Sequence, residues 1–208
     1  MSAAGTDRRS LRRQQTIDEI LDVSVALMET EGVAALSLSA VARQLGMQPP
    51  SLYQYFPSKL AIYDALFQRG AEQFRDAQRT ARIGTAPEDQ LEVAVTAFSR
   101  WCMANQVLSQ LLFWRTVPGF EPSPEAFRPA VEAIEDVTFC IQQEVDAGRL
   151  HQDATSDEGI ALFTAITAGV MSQQLANEPQ ATFETGRFTQ LMPIVIEMFY
   201  QRYRGTKR

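Results

Sequence analysis

Between Gly46 and Lys59 the chain reads Gly-Met-Gln-Pro-Pro-Ser-Leu-Tyr-Gln-Tyr-Phe-Pro-Ser-Lys, and its polar and aromatic groups suit recognition rather than catalysis. Gln54 carries an amide that donates and accepts at once, the pattern that bonds adenine in two places. Tyr53 and Tyr55 bring hydroxyl donors, and Pro49 and Pro50 offer flat apolar surface of the kind that touches thymine methyls. Proline is tolerated in the first turn of a helix, so a third helix can start at this point, and Pro57 stops it. A helix start also turns N–H groups and positive partial charge outward, which suits phosphate oxygens.

Catalysis has no comparable set. There is no Gly-x-Ser-x-Gly elbow and no phosphate-cradling glycine loop, so no enzymatic activity and no cofactor are expected. His151 is the single histidine and lies in a loop-like stretch, where it reads as solvated surface. The two cysteines, Cys102 and Cys140, sit in apolar, helix-like surroundings. They read as small buried hydrophobes, with a disulfide or redox pair as the alternative; one histidine and two distant cysteines are too few for a metal site.

The elements that must position the Gly46–Lys59 stretch are helical by pattern, with no sustained alternation of the strand kind. Ile17, Ile20, Leu21, Val25 and Met28 follow helical spacing, and Gly32 is placed to end that helix. Ser37 is placed to cap a short second helix with Val41, Ala42 and Leu45 inward, and Gly46 breaks it. Ser58 caps a long fourth helix over 58–82 carrying Leu60, Tyr63, Leu66, Phe67 and Phe74. Two short helices joined by a glycine turn are too small to stand alone; packed on the first helix they form a unit that presents the third outward.

Beyond Arg82 the character changes. Thr85 with Glu88, and Thr155 with Glu158, have capping-box spacing at the starts of two further helices. Ser123-Pro124 opens a helix on which Phe127, Val131, Ile134, Thr138, Ile141 and Val145 fall on one side, and Gly148 ends it. The last two helices are apolar on more than one side, which places them between layers or against a second chain. Gly169 lies inside the first of them, where close helix approach would compensate its cost of roughly 1 kcal/mol. Pro193 lies inside the second, where it should kink the helix or mark a break.

The chain has 208 residues, 45% of them hydrophobic, and a net charge of −6. No uninterrupted apolar run reaches the ~18 residues of a membrane span, and the polar, basic start does not read as a secretory signal, so a cytoplasmic protein without membrane association is expected. Residues 1–60 carry six basic and six acidic groups, so the acidity belongs to the remainder. Arg8, Arg9, Arg12 and Arg13 crowd into the N-terminal arm, which can meet phosphates or trail as a solvated tail.

The run Ala35-Leu-Ser-Leu-Ser-Ala-Val-Ala-Arg-Gln-Leu-Gly46, followed by Met47 to Lys59, resembles the signature of the tetracycline-repressor (TetR) family of regulators. Its capping Ser or Thr, turn Gly, Leu-Tyr-x-(His or Tyr)-Phe run and Ser/Asn-Lys pair are matched by Ser37, Gly46, Leu52-Tyr53, Tyr55-Phe56 and Ser58-Lys59. The resemblance implies DNA contact by Ser37, Ser39, Gln48, Pro49, Pro50, Ser51, Tyr53, Gln54, Tyr55 and Lys59. Tyr53, Tyr55 and Lys59 would meet phosphates, and Gln48, Pro49, Pro50 and Gln54 base edges, with Ser39 reaching either. Leu52 and Phe56 are core, and one of the two tyrosines is open to a packing role instead. Gln48 stands where the family usually has Ser or Thr, and the paired prolines replace more usual small polar or basic residues, so base preference does not carry over.

The resemblance further implies an effector pocket, for which Phe98, Trp101, Cys102, Met103, Phe113, Trp114, Phe139, Phe163, Met171 and Gln173 are the candidate lining; the same residues suit plain core. The expectation is therefore an all-α protein of about nine helices. A three-helix helix-turn-helix domain spans 1–60, and a helical ligand-binding and dimerisation domain spans 61–208. Its partners would be double-stranded DNA with a palindromic operator, a small-molecule effector and a second copy of the chain, with repression released by the effector. The alternative is a helical module for small molecules or proteins without specific DNA binding.

Overall fold

A computed structural model describes residues 3–205, with side chains from Arg8 onward; residues 1–2 and 206–208, the outermost parts of the two expected domains, lie outside the described residues. Among the described residues there are nine α-helices and no extended strand: α1 Ala3–Glu31, α2 Leu38–Gln44, α3 Pro49–Leu52, α4 Lys59–Ala81, α5 Gln90–Ala104, α6 Gln106–Phe113, α7 Pro124–Asp146, α8 Asp157–Asn177 and α9 Met192–Arg202. They form two compact units. One holds residues up to Gly70 together with Val107–Ala126, and the other Ala71–Gln106 with residues from Phe127 onward.

These units cut the chain elsewhere than the expected boundary at 60/61, and the contacts of the first explain why. Its core is the apolar stripe of α1 (Ile20, Met28) packed on Val41, Ala42, Leu52, Ile62 and Leu66. The loop before α7 then folds back onto the first half of α4. Phe120 lies 5.8 Å from the Tyr63 ring and 6.3 Å from that of Phe67, while Asp64 accepts the Ser123 N–H (2.7 Å) and hydroxyl (2.8 Å). Gly70 makes room for α6, since a Cβ there would sit 3.0 Å from Leu112 Cδ1.

In the second unit, a ladder of ion pairs joins the rest of α4 to α7. Arg75 meets Glu132 at 2.7 Å, Arg79 meets Asp136 at 2.6 Å, and Arg82 donates to Cys140 Sγ at 3.0 Å. The Arg75 guanidinium holds the Glu132 carboxyl below its ordinary range, and burial pushes the Cys140 thiol up. Cys102 and Cys140 are both free and buried. Aromatic stacking of Phe74 on Phe98 and Trp101, and of Phe163 on Phe199, fills the interior. Gln174, wholly buried, accepts the N–H groups of Phe188 and Thr189 and donates to the Glu178 carbonyl, which ties the loop after α8 to that helix.

Several local expectations change. The cap of α8 is Ser156, whose Oγ accepts the Gly159 N–H at 3.1 Å; Thr155 donates to Gln152 instead. Thr85 likewise donates to the Ala81 carbonyl, and a 3-10 turn over Pro87–Asp89 leads into α5, so neither capping box forms. Pro193 sits in the first turn of α9, where its missing N–H needs no partner, and marks a break rather than a kink.

The stripe expected to face inward along α7 is also reversed at its start. Phe127 (46%), Val131 (43%) and Ile134 (39%) are exposed, and Ala126, Ala133, Val137, Cys140 and Ile141 are buried. Glu132 and Asp136, drawn to the α4 arginines, set that rotation. Leu60, too, is exposed on α4.

α8 is long and apolar enough to cross a membrane by length and mean hydropathy, although Thr164, Thr167, Gln173 and Gln174 interrupt it. Little of it is buried within the chain. Gly169 meets nothing within 4 Å of where a Cβ would stand, so the close approach expected there does not occur inside this chain. On α9 and the turn before it, Leu191, Ile194 and Met198 are exposed.

Candidate nucleic-acid interface

The interface candidate is built on α2, the turn and α3. Gly32 closes α1 at φ +91°, and Gly46 makes the α2–α3 turn at φ +64°, a conformation that costs glycine little. Ser37 occupies the cap position of α2 but does not cap it, because its hydroxyl bonds to that of Ser39 at 2.8 Å. Ser58 does cap α4, accepting the Ala61 N–H at 3.1 Å. Behind the site Tyr63 donates to the Val33 carbonyl at 2.6 Å, and burial raises its phenol above the ordinary value, so it stays a donor.

α3 is shorter than the stretch expected to run to Phe56. Four residues are α-helical, and Tyr53–Tyr55 continue as a tight turn in which Gln54 bonds to Ser51 and Tyr55 to Leu52. So short a helix gathers little dipole, and Pro49 and Pro50 have no N–H to offer. The phosphate attraction expected of this helix start therefore falls away, and side chains must supply it.

Those side chains divide cleanly. Leu52 and Phe56 are buried, whereas Gln48, Pro49, Pro50, Tyr53 and Gln54 are exposed, with Tyr53 at 53%. Ser39 is exposed, and Ser37, Ser51, Tyr55 and Lys59 are half-buried. The Arg13 guanidinium lies 5.1 Å above the Tyr55 ring, and Lys59 Nζ lies 5.9 Å from the Tyr63 ring centre. The N-terminal arginines, whose arm was open to two readings, are helical: α1 begins at Ala3 and includes Arg8 to Arg13. The motif had not singled them out, yet their spacing of three and four residues was the available signal.

The residues expected to line an effector pocket are divided between the two units. Phe98, Cys102, Phe163 and Met171 are buried in the second unit's core, Phe139 and Gln173 are exposed there, Met103 is half-buried, and Phe113 and Trp114 belong to the first unit. A groove of the second unit, about 830 Å³, takes only Trp101 from that set. It runs past Ala77, Val93, Thr96, Ala97 and Asn105, and the buried Trp101 Nε1–H has no hydrogen-bond partner. Among the described residues no three His, Cys, Asp or Glu side chains are grouped to hold a metal ion.

A short helical pair packed on a longer helix, with its second member displaying Gln, Pro and Tyr, is a helix-turn-helix arrangement. Residues 20–66 match the family model described as bacterial regulatory proteins, tetR family. The chain is 27% identical over 121 residues to the HTH-type transcriptional regulator Mb1846 of Mycobacterium bovis, covering 57% of this chain and 52% of that one. It is 29% identical over 113 residues to the HTH-type transcriptional repressor KstR of Mycolicibacterium smegmatis, covering 53% of each. The chain thus spans about half the length of the curated relatives it matches. In fold it is similar to the transcriptional regulator FadR of Bacillus subtilis in complex with stearoyl-CoA, with a TM-score of 0.66, 16% identity, and coverage of 88% and 96% of the two chains.

Proposed function

We propose that this chain is a transcriptional repressor that binds a palindromic operator as a homodimer and is released by a small molecule. The carrying observation is the division on α3: Leu52 and Phe56 anchor it while Gln48, Pro49, Pro50, Tyr53 and Gln54 stand exposed together. In this reading Gln48, Pro49, Pro50 and Gln54 meet base edges. Tyr53, Tyr55 and Lys59 hold phosphates, and Ser37, Ser39 and Ser51 lie at the rim of the contact. Phosphate contacts set register, and base contacts set sequence preference.

Pairing is supported by the apolar surface that α8 and α9 leave uncovered and by the open space over Gly169, which a helix of a second copy would close. A two-fold dimer then dictates half-sites about one helical turn apart, or a multiple of it. The groove past Trp101 is the place for an effector, with an unpartnered N–H to orient a mostly apolar molecule. Repression is the sense of action, as in the relative KstR; binding rather than catalysis is the activity, and the cytoplasm is the compartment. Release requires that the effector favour one of two states of the protein, so that its binding and DNA binding oppose each other.

Titration of the protein with its own upstream DNA tests this. A sequence-specific complex that weakens steeply with salt is expected. A chain that stays monomeric and binds no duplex at low ionic strength would instead be a helical small-molecule or protein-interaction module.

A further inference from the structure

The first turns of α1 carry four arginines within six residues, Arg8, Arg9, Arg12 and Arg13. Arg75, Arg79, Arg82 and Arg149 are each held by a carboxylate of the second unit. Arg8, Arg9, Arg12 and Arg13 are exposed, and none of the ion pairs found among the described residues engages them. Arg9, Arg12, Arg13 and Thr16 follow i, i+3, i+4, i+7 spacing and so share one helix face, with Arg8 at its edge and outside the concavity which that face lines. That face does not point into empty solvent. With Gln54 and Tyr55 it lines a single concavity of about 450 Å³, and Arg13 stacks over the Tyr55 ring at 5.1 Å.

We infer that this concavity is a clamp for a DNA backbone phosphate, placed where the strand leaves the base edges read by Gln54. The inference rests on the DNA-binding reading above and assigns to α1 a role that the helix-turn-helix motif does not contain. Three arginines line it together with Tyr55, and guanidinium forks fit phosphate oxygens in a bidentate way. Stacking on Tyr55 holds Arg13 in place before DNA arrives, which lowers the entropy lost on binding. The clamp also supplies what α3 lacks, because Pro49 and Pro50 leave its helix start without N–H donors. An acidic protein can in this way meet a polyanion through a local patch.

The test uses the full chain, operator DNA and random duplex. Arg12→Gln with Arg13→Gln is expected to weaken binding to both duplexes by roughly 10- to 100-fold, and to lower the slope of log affinity against log salt by about 2, one phosphate per protomer. Arg8→Gln, which removes the same kind of charge from a residue that does not line the concavity, is expected to change affinity less than threefold. Because all these side chains are exposed, circular dichroism and melting should be unchanged. Equal losses from Arg8→Gln and from the pair, or an unchanged salt slope, would overturn the clamp while leaving base reading by α3 intact. Failure of the unaltered chain to bind any duplex would overturn the DNA-binding reading and the clamp with it. Inorganic phosphate titrated into the DNA-free protein should give no saturable heat; saturable heat lost in the Arg12/Arg13 variant would assign the site to a free anion and overturn the DNA assignment.

Discussion

The two compact units use similar residue types in opposite ways. In the unit that contains α1–α3, Arg9, Arg12, Arg13, Tyr53 and Gln54 have no acidic partner among the ion pairs and hydrogen bonds of the described residues, and Leu52 and Phe56 beside them are buried. In the other unit, the arginines of α4 are spent on Glu132 and Asp136, the aromatic residues are stacked into the interior, and the exposed positions on α7 and α9 are apolar. Unpaired polarity at the surface is available to a polar partner, whereas unpaired apolar surface favours a second hydrophobic face. The exposed chemistry of the first unit thus suits a charged ligand, and that of the second an apolar face.

The largest effect expected from breaking that contrast is on assembly. Ile194→Glu with Met198→Glu places charge on the exposed face of α9 and should convert the dimer to monomer by sedimentation, with operator affinity falling by about 10²- to 10⁴-fold as linkage of the two half-sites is lost. A variant that remains dimeric would move the pairing surface elsewhere.

Leu52→Ala and Tyr53→Ala, one residue apart, separate anchoring from contact. The first should lower unfolding free energy in urea by about 2–5 kcal/mol through the cavity it leaves. The second should change it by less than about 0.5 kcal/mol while weakening all DNA binding. Similar losses of stability from both would mean that Tyr53 is a packing residue.

Within the interface, Gln54→Ala should alter which base is preferred at one operator position, a change worth about 1–3 kcal/mol in discrimination, and Lys59→Ala should weaken every duplex alike. Selection of bound sites from random DNA with each variant distinguishes the two. The smallest effect belongs to the cap of α8: Ser156→Ala should cost about 1 kcal/mol of stability, while Thr155→Ala should cost less, as read by thermal unfolding.

The helix-turn-helix was legible because its constraints are local. A glycine at positive φ, a serine three residues before the N–H it caps and buried side chains four residues apart at Leu52 and Phe56 are all set by neighbours in sequence. Where the competing partners were also local, small shifts escaped: the cap moved from Thr155 to Ser156, and Ser37 turned to Ser39. Phe98, Phe163 and Met171 look the same in sequence whether they face a cavity or one another, so sequence alone leaves both roles open to them.

By itself the sequence determined the helical class, the order of the helices and the residues of α3 that must be buried, since these follow from periodicity and from backbone preferences of glycine and proline. Tertiary structure alone decided which of two apolar stripes on α7 turns inward, which arginines are neutralised, and that Arg9, Arg12 and Arg13 share a concavity with Gln54 and Tyr55. Each of those outcomes depends on a partner tens of residues away, and a side chain's partner, unlike its helical phase, is not encoded in its own neighbourhood.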